Sequence, residues 1–404
     1  MTCTKTTNGR PRFLIGEYGS FRPWIARFFL DEVLPRSRSL LDPMAGTAPM
    51  IPFVHKSKTV AYFVDILPVH YYMNAAKTYS AFRTYRRLEK SHPRFFLKET
   101  CRCLGGLRGK RLLCSDKWVH EDILAAFLKA WERTDSHGTA VSRLLKALII
   151  QSLRPFSCAT PSVSNHTWMK PGGTSTIQTV RDVVASSLSV LESFYSSHYD
   201  DSSSFGQGKV FLELGDACKY APPKPVDTVF TSPPYPNRFE PKRAYGPELY
   251  FLYHAGVDFD NPSLLGTTKV RDYSSCSNDC EELRANAPKT AQFLDTVRAK
   301  SRVGENEYYF RYYVRYYTSL FRAAENSIRS LREAGCAYFV LQNNVHRGEL
   351  NTPGKFLIEF FERRGRKASI VRRRPQPHHG LRNISADYPL VLRKHYEEII
   401  EVQK

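Results

Sequence analysis

The chain has 404 residues, 42% of them hydrophobic, enough for a catalytic domain with a sizeable insertion or a second small domain. It has no run of about 18 apolar residues and its start, MTCTKTTNGRPRF, has no apolar signal core, so a cytoplasmic protein without a membrane span is expected, its nine scattered cysteines reduced. A formal net charge of +20 and a pI near 9.6 point away from a metabolic enzyme and towards a polyanionic partner, because surface Lys and Arg gain affinity by releasing counterions from phosphates.

FRPWIARFFLDEVL (21–34) has apolar residues at helical spacing after a proline, which a first helical turn tolerates. SLLDPMAGTAPMIPFVH (39–55) reads as strand, small-residue turn and helix. KTVAYFVDILP (58–68) reads as a second strand ending in an acid, and HYYMNAAKTYSAFRTYRRLEK (70–90) as one helix. This order opens a doubly wound α/β domain. From about 97 to 207 the pattern is helical: DILAAFLKAWERT, AVSRLLKALIIQSLR and TIQTVRDVVASSLSVLESFY are amphipathic, and PFSCATPSVSNHTWMKPGGTST is a loop between them. KVFLELGDA (209–217) and VDTVFTSPPY (226–235) return to short apolar strands. The stretch 259–304 reads as a polar loop, and 306–335 as one long helix stopped by Gly335. CAYFVLQNN is a strand and GKFLIEFFERRGR a helix; KASIVRRRP and YPLVLRK are expected to close the sheet as an antiparallel pair. Basic residues concentrate in RTYRRLEKSHPR (83–94) and RRGRKASIVRRRP (363–375); the second alternates charge with apolar residues, as a strand or sheet edge does.

Three strand tips carry acids or polar turns. In DPMAGTAP, Gly46 and Ala48 are small enough for a ligand to approach the backbone at the carboxyl edge of the sheet, or the segment is a structural strand-to-helix turn. Asp65 ends the second strand about 20 residues later, where a dinucleotide fold places an acceptor for ribose hydroxyls. Asp216 ends the third, either as an acceptor for an adenine amine or as a turn residue after Gly215. TSPPY (231–235) then offers Ser232 Oγ and the Pro233 carbonyl as acceptors for the two N–H bonds of a planar amine. Proline fixes their placement, and Tyr235 supplies a ring to stack on a base. CRCLGGLRGKRLLC (101–114) with His120 lacks the paired spacing of a zinc site, and no metal is expected. His378 and His379 read as surface loop residues, and the tyrosines of YYFRYYVRYY as packing.

With these motifs the chain resembles the S-adenosylmethionine-dependent DNA amino-methyltransferases, which methylate cytosine N4 or adenine N6. TSPPY resembles their catalytic motif in the Ser form typical of cytosine-N4 enzymes. DPMAGTAP resembles their methionine-binding turn, with Ala48 departing from it, and GEYGSFRPWIARFFL resembles the segment that closes over the cofactor. YPNRFEPKRAYGPELYFL and RNISADYPLVLRK resemble the post-elbow segment and closing strand of one subgroup. The resemblance covers 11–75 and 209–394. It implies a class I, Rossmann-like seven-stranded methyltransferase fold, with a catalytic domain at 1–96 and 208–404 and a helical insertion at 97–207 as candidate target reader, the stretch 259–304 being its rival.

The resemblance implies catalytic Ser232, Pro233, Pro234 and Tyr235. Cofactor contacts are implied at Tyr18, Phe21, Pro23, Asp42, Pro43, Met44, Ala45, Gly46, Thr47, Asp65, Ile66, Asp216, Ala217 and Thr231. DNA contacts are expected at Asn237, Arg238, Lys242, Arg243, Tyr245, Trp168, Lys170 and Arg382. The partner implied is double-stranded DNA with its target base flipped out, with a cognate restriction endonuclease as a functional partner. No Pro-Cys dipeptide stands at the catalytic position, as carbon-5 methylation of cytosine would require. Adenine N6, an RNA or protein amide, and an inactive DNA-binding relative remain as alternatives.

Overall fold

A computed structural model of the chain describes residues 21–107, 118–161, 167–169, 179–199, 207–236, 244–258, 276–300, 306–346, 349–375 and 396–404. Seven strands form the central sheet: β1 (Ser39–Asp42), β2 (Val60–Asp65), β3 (Lys209–Leu214), β4 (Val226–Thr231), β5 (Leu331–Gln342), β6 (Ala368–Pro375) and β7 (Tyr396–Gln403). Their order is β3-β2-β1-β4-β5-β7-β6. The first five strands are mutually parallel, and β7 lies antiparallel between β5 and β6. The chain steps outward from β1 through β2 to β3, then crosses back to place β4 on the other side of β1. The order therefore reverses between β1 and β4, the position where open α/β sheets bind ligands beyond their carboxyl ends.

Period-2 alternation sends side chains to two cores. Leu41, Val64, Val229 and Phe339 face the helices Asn306–Arg329 and Pro353–Glu362, while Leu40, Phe63, Phe230 and Val340 face the helix Pro23–Phe28 and its continuation. All six residues of β4 are buried, as its central position demands. The helices Tyr79–Ser91, Phe95–Cys103, Glu121–Thr134, Thr139–Leu153 and Val180–His198 build a third core around Phe96, Phe127, Leu148 and Leu191. That core also takes in residues of the helices Pro68–Ala76 and Gly246–His254, so the helical unit reaches further than 97–207. Among the described residues no helix is long and apolar enough to cross a membrane.

Several sequence expectations change. The helix expected over 70–90 is two, because Thr78 leaves helical geometry and its hydroxyl caps the second by accepting from the Ala81 amide at 3.3 Å. The polar stretch 259–304 contains two helices, Cys276–Asn286 and Pro288–Lys300. Leu283, Phe293, Leu294 and Val297 form an apolar stripe packed on the tyrosine-rich helix. That helix stops at Arg329, not at Gly335. The residues 332–335 form a bulge opposite β4, with Ala334 at φ +59° and Arg332 paired to Asp227 at 2.8 Å. The strand that closes the sheet against β6 is Tyr396–Gln403; YPLVLRK lies outside the described residues. The basic strand β6 is a sheet edge.

Candidate active site

The turn after β1 is held from β2 and the helix that follows it. The Ala45 amide donates to the Val64 carbonyl at 2.8 Å, pinning the turn on the neighbouring strand. Gly46 takes φ +53° and Ala48 φ +41°, a conformation that costs a non-glycine residue about 1–2 kcal/mol. Asn74 donates to the Gly46 carbonyl at 2.8 Å, and the buried Lys77 ammonium donates to the Thr47 carbonyl at 2.7 Å. His70, Asn74 and Lys77 follow at i, i+4 and i+7, one face of a helix. This polar stripe in a buried helix was the available signal for three residues that motif reading missed. Within the turn Pro43, Ala45 and Thr47 are buried, whereas Met44 and Gly46 are partly accessible; a Cβ added at Gly46 would meet nothing within 4 Å.

Two carboxylates, the part-buried Asp65 and the buried Asp42, stand at this edge in different surroundings. Asp65 Oδ2 accepts from the Gly46 amide at 2.7 Å, and Oδ1 accepts from the Leu67 amide at 2.8 Å and lies 3.1 Å from His70 Nδ1. Burial alone would raise its pKa, but His70 and the two amides outweigh burial and hold it below the ordinary carboxylate value. Asp65 thus ties the tips of β1 and β2 together. Asp42 is 2% exposed, and no cationic side chain pairs with it among the described residues. Burial pushes its pKa up to about 7. Thr231 on β4 and the Met44 amide at 3.3 Å favour the charged form too weakly to reverse this, and the neighbouring charge of Asp65 adds to the rise. The Thr231 hydroxyl stands near the carboxylate without reaching hydrogen-bond geometry.

The Ser-Pro-Pro-Tyr elbow leaves β4 beside this carboxylate. Beneath it Phe230 packs between Phe21 (5.5 Å, edge-on) and Phe29 (5.0 Å). Ser232 Oγ donates to Tyr235 Oη at 3.3 Å, and Tyr235 Oη donates to Glu397 Oε1 at 2.6 Å. Arg22 Nε lies 3.5 Å from Glu397 Oε2. Burial, reinforced by the Glu397 carboxylate, holds the Tyr235 phenol well above its ordinary pKa. Tyr316 donates to the Pro234 carbonyl at 3.0 Å, and Asn344 donates to that of Pro236. Among the described residues no donor is bonded to the Pro233 carbonyl. Of the tyrosines of the long helix, Tyr312, Tyr313, Tyr316 and Tyr317 are buried packing residues, whereas Tyr309 is half-buried and Tyr308 exposed; Tyr316 also anchors the elbow.

The remaining expected residues fall in varied places. Asp216 Oδ1 accepts from the Cys218 amide at 2.9 Å, a turn contact, and the Ala217 carbonyl accepts from Asn326 at 2.9 Å. Ile66 lies beside Asp65 in the β2 turn, partly buried. Pro23 is exposed at the first turn of its helix. Tyr245, expected on DNA, is instead 2% exposed, its ring edge-on to His70 at 5.0 Å in the helical core. An aromatic ring this deep contributes to packing and is withdrawn from any phosphate. Trp168 lies on a short hairpin strand, Thr167–Met169, opposite Thr160. Tyr18, Asn237, Arg238, Lys242, Arg243, Lys170 and Arg382 lie outside the described residues, as do His378, His379 and Cys114. His120 caps the helix Glu121–Thr134. Glu397, Tyr316, Asn344 and Arg22 carried no motif signal, because each reaches the elbow from a distant part of the chain.

No protein-family model and no curated protein matches this chain.

Proposed function

We propose that the chain is an S-adenosylmethionine-dependent methyltransferase acting on an exocyclic amine of DNA, cytosine N4 in the first instance. The observation that carries this reading is Asp42: a buried carboxylate with no cationic partner among the described residues, set between the Gly46 turn and the Ser232 elbow at the sheet's switch point. Such a group favours a ligand that brings positive charge. S-adenosylmethionine carries an ammonium and a sulfonium, and the residues present fit it. Asp42 would receive the cationic end, Gly46 leaves open space for close approach, Asp65 ends the next strand, and Asp216 lies in the turn beyond the end of the one after it. When bound, the cofactor supplies an electrophilic methyl group.

The chain's own residues supply the other half. Ser232 Oγ and the Pro233 carbonyl would accept the two N–H bonds of the amine, which favours a pyramidal nitrogen with its lone pair localised towards the methyl donor instead of shared with the ring; the methylated nitrogen, now acidic, would then shed one of these protons to solvent. The prolines fix these acceptors before the base arrives. No thiolate is needed, because transfer is direct and in line. DNA as the polymer rests on the +20 charge and on an exposed basic face, Arg83, Arg86, Arg87 and Lys90, on one helix. An amine buried in a duplex requires base flipping. The test is incubation of the full chain with tritiated S-adenosylmethionine and unmethylated plasmid DNA, followed by mass spectrometry of the nucleosides. N4-methylcytosine is expected. N6-methyladenine would move the target base and keep the chemistry; the absence of methylated nucleosides would overturn the reading.

A further inference from the structure

We propose that Glu397, acting through Tyr235, fixes the hydrogen-bond polarity of Ser232 so that its Oγ meets the target amine as an acceptor. A serine hydroxyl is ambivalent: it donates one hydrogen and accepts through two lone pairs, and its rotor follows its neighbours. If it points its hydrogen at an amine, it repels the N–H it is meant to receive. The chain of contacts removes that ambivalence. An ionised carboxylate only accepts, so at 2.6 Å the Tyr235 hydroxyl hydrogen is committed to Glu397. Tyr235 Oη is then left with lone pairs, and at 3.3 Å it takes the Ser232 hydrogen. Ser232 Oγ keeps its own lone pairs for the substrate.

Three further features keep the chain in this order. Arg22 supplies the counter-charge to Glu397 at 3.5 Å. Tyr235 stays protonated, because burial and the adjacent carboxylate oppose its ionisation. The elbow backbone is held independently, by Tyr316 on Pro234 and Asn344 on Pro236, so the Ser-Tyr-Glu contacts are not what keeps the elbow folded. Glu397 is therefore a positioning residue. It lies on β7, while the elbow follows β4.

This inference rests on the amine-methylation reading, and the experiment separates the two. Tritium transfer to unmethylated plasmid DNA is measured for the wild type, Glu397→Gln, Tyr235→Phe and the double variant, with S-adenosylmethionine affinity measured by calorimetry. The carboxamide introduced by Glu397→Gln can donate to Tyr235, which reverses the chain and turns the Ser232 hydrogen outward. Glu397→Gln should lower the transfer rate about 10- to 100-fold at saturating cofactor, with cofactor affinity within about twofold of wild type. Tyr235→Phe should lose a similar factor, and the double variant should lose no more than Tyr235→Phe alone, since Glu397 acts only through the phenol. Unchanged transfer in Glu397→Gln overturns the inference while leaving the enzyme reading intact, and so does a double variant whose losses multiply. A wild type that transfers nothing to DNA removes the reading and this inference with it. If Glu397→Gln fails to fold, Tyr235→Phe, which deletes one oxygen, carries the decision: a wild-type rate in that variant overturns the inference.

Discussion

The tips of β1 and β4 lie side by side at the switch point and are held by different kinds of contact. The β1 turn is tied by Asp65, Asn74 and Lys77, which lie 19, 28 and 30 residues from their partners. The β4 elbow is tied by Tyr316, Asn344 and Glu397, which lie 82, 108 and 162 residues away. The first tip is thus organised within one β-turn-α-β-α unit. The second is complete only when β7 has inserted between β5 and β6. On the proposed reading, the local tip binds the methyl donor and the non-local tip binds the acceptor.

If the two tips are functionally separate, the largest expected effect is on transfer alone. Ser232→Ala should reduce methyl transfer about 10²–10³-fold, while calorimetric affinity for S-adenosylmethionine stays within about twofold. An equal loss of cofactor affinity would break the separation. Next is Asp65→Asn, which replaces one acceptor oxygen with a donor facing an amide. It should cost about 3–5 kcal/mol in urea unfolding and weaken cofactor binding. Because the folded pKa of Asp65 is depressed, its stabilisation is fully present above the unfolded value near 3.9 and is lost as pH falls through the lower folded value. The variant should lack that acid-side loss.

Asp42 carries the opposite sign. Its folded pKa of about 7 lies above the unfolded value, so between about pH 4 and 7 the native state binds the extra proton and stability falls as pH rises. Asp42→Asn should flatten thermal stability over this window and gain about 2–4 kcal/mol at pH 8. A cationic ligand at Asp42 should release a proton on binding near pH 6.5. Calorimetry in buffers of different ionisation enthalpy reads this directly, and zero proton release would remove Asp42 from the cofactor site. The smallest effect is on the stability of Gly46→Ala. The left-handed φ costs about 1 kcal/mol and no atom clashes, yet the methyl fills the open space. Cofactor affinity should therefore fall by more than the melting temperature implies.

Much of the β1 tip was legible in the residues. A strand ending in Asp42, small residues at 46 and 48, and a second strand ending in Asp65 are local patterns, and the structure places them in one unit. Ala48 reads as a missing glycine, and its φ of +41° shows that the backbone there does ask for one. The tyrosine helix and the basic edge strand were equally readable from side-chain periodicity and charge alternation. The helices at 276–300 were not, because their apolar stripe is thin and becomes a core face only against Tyr313 and Tyr317.

The sequence by itself determined the alternating strands, the amphipathic helices and the residue types at the tips, since each depends on neighbours within about ten positions. Only the tertiary structure decided that β7 supplies Glu397 to the elbow, that Tyr245 packs inside rather than facing outward, and that Asp42 is buried with no cationic partner among the described residues while Asp65 is engaged. Those outcomes depend on which distant segments share a volume. Burial and partnership set a carboxylate's charge or a hydroxyl's direction, and neither is a property of the local chain.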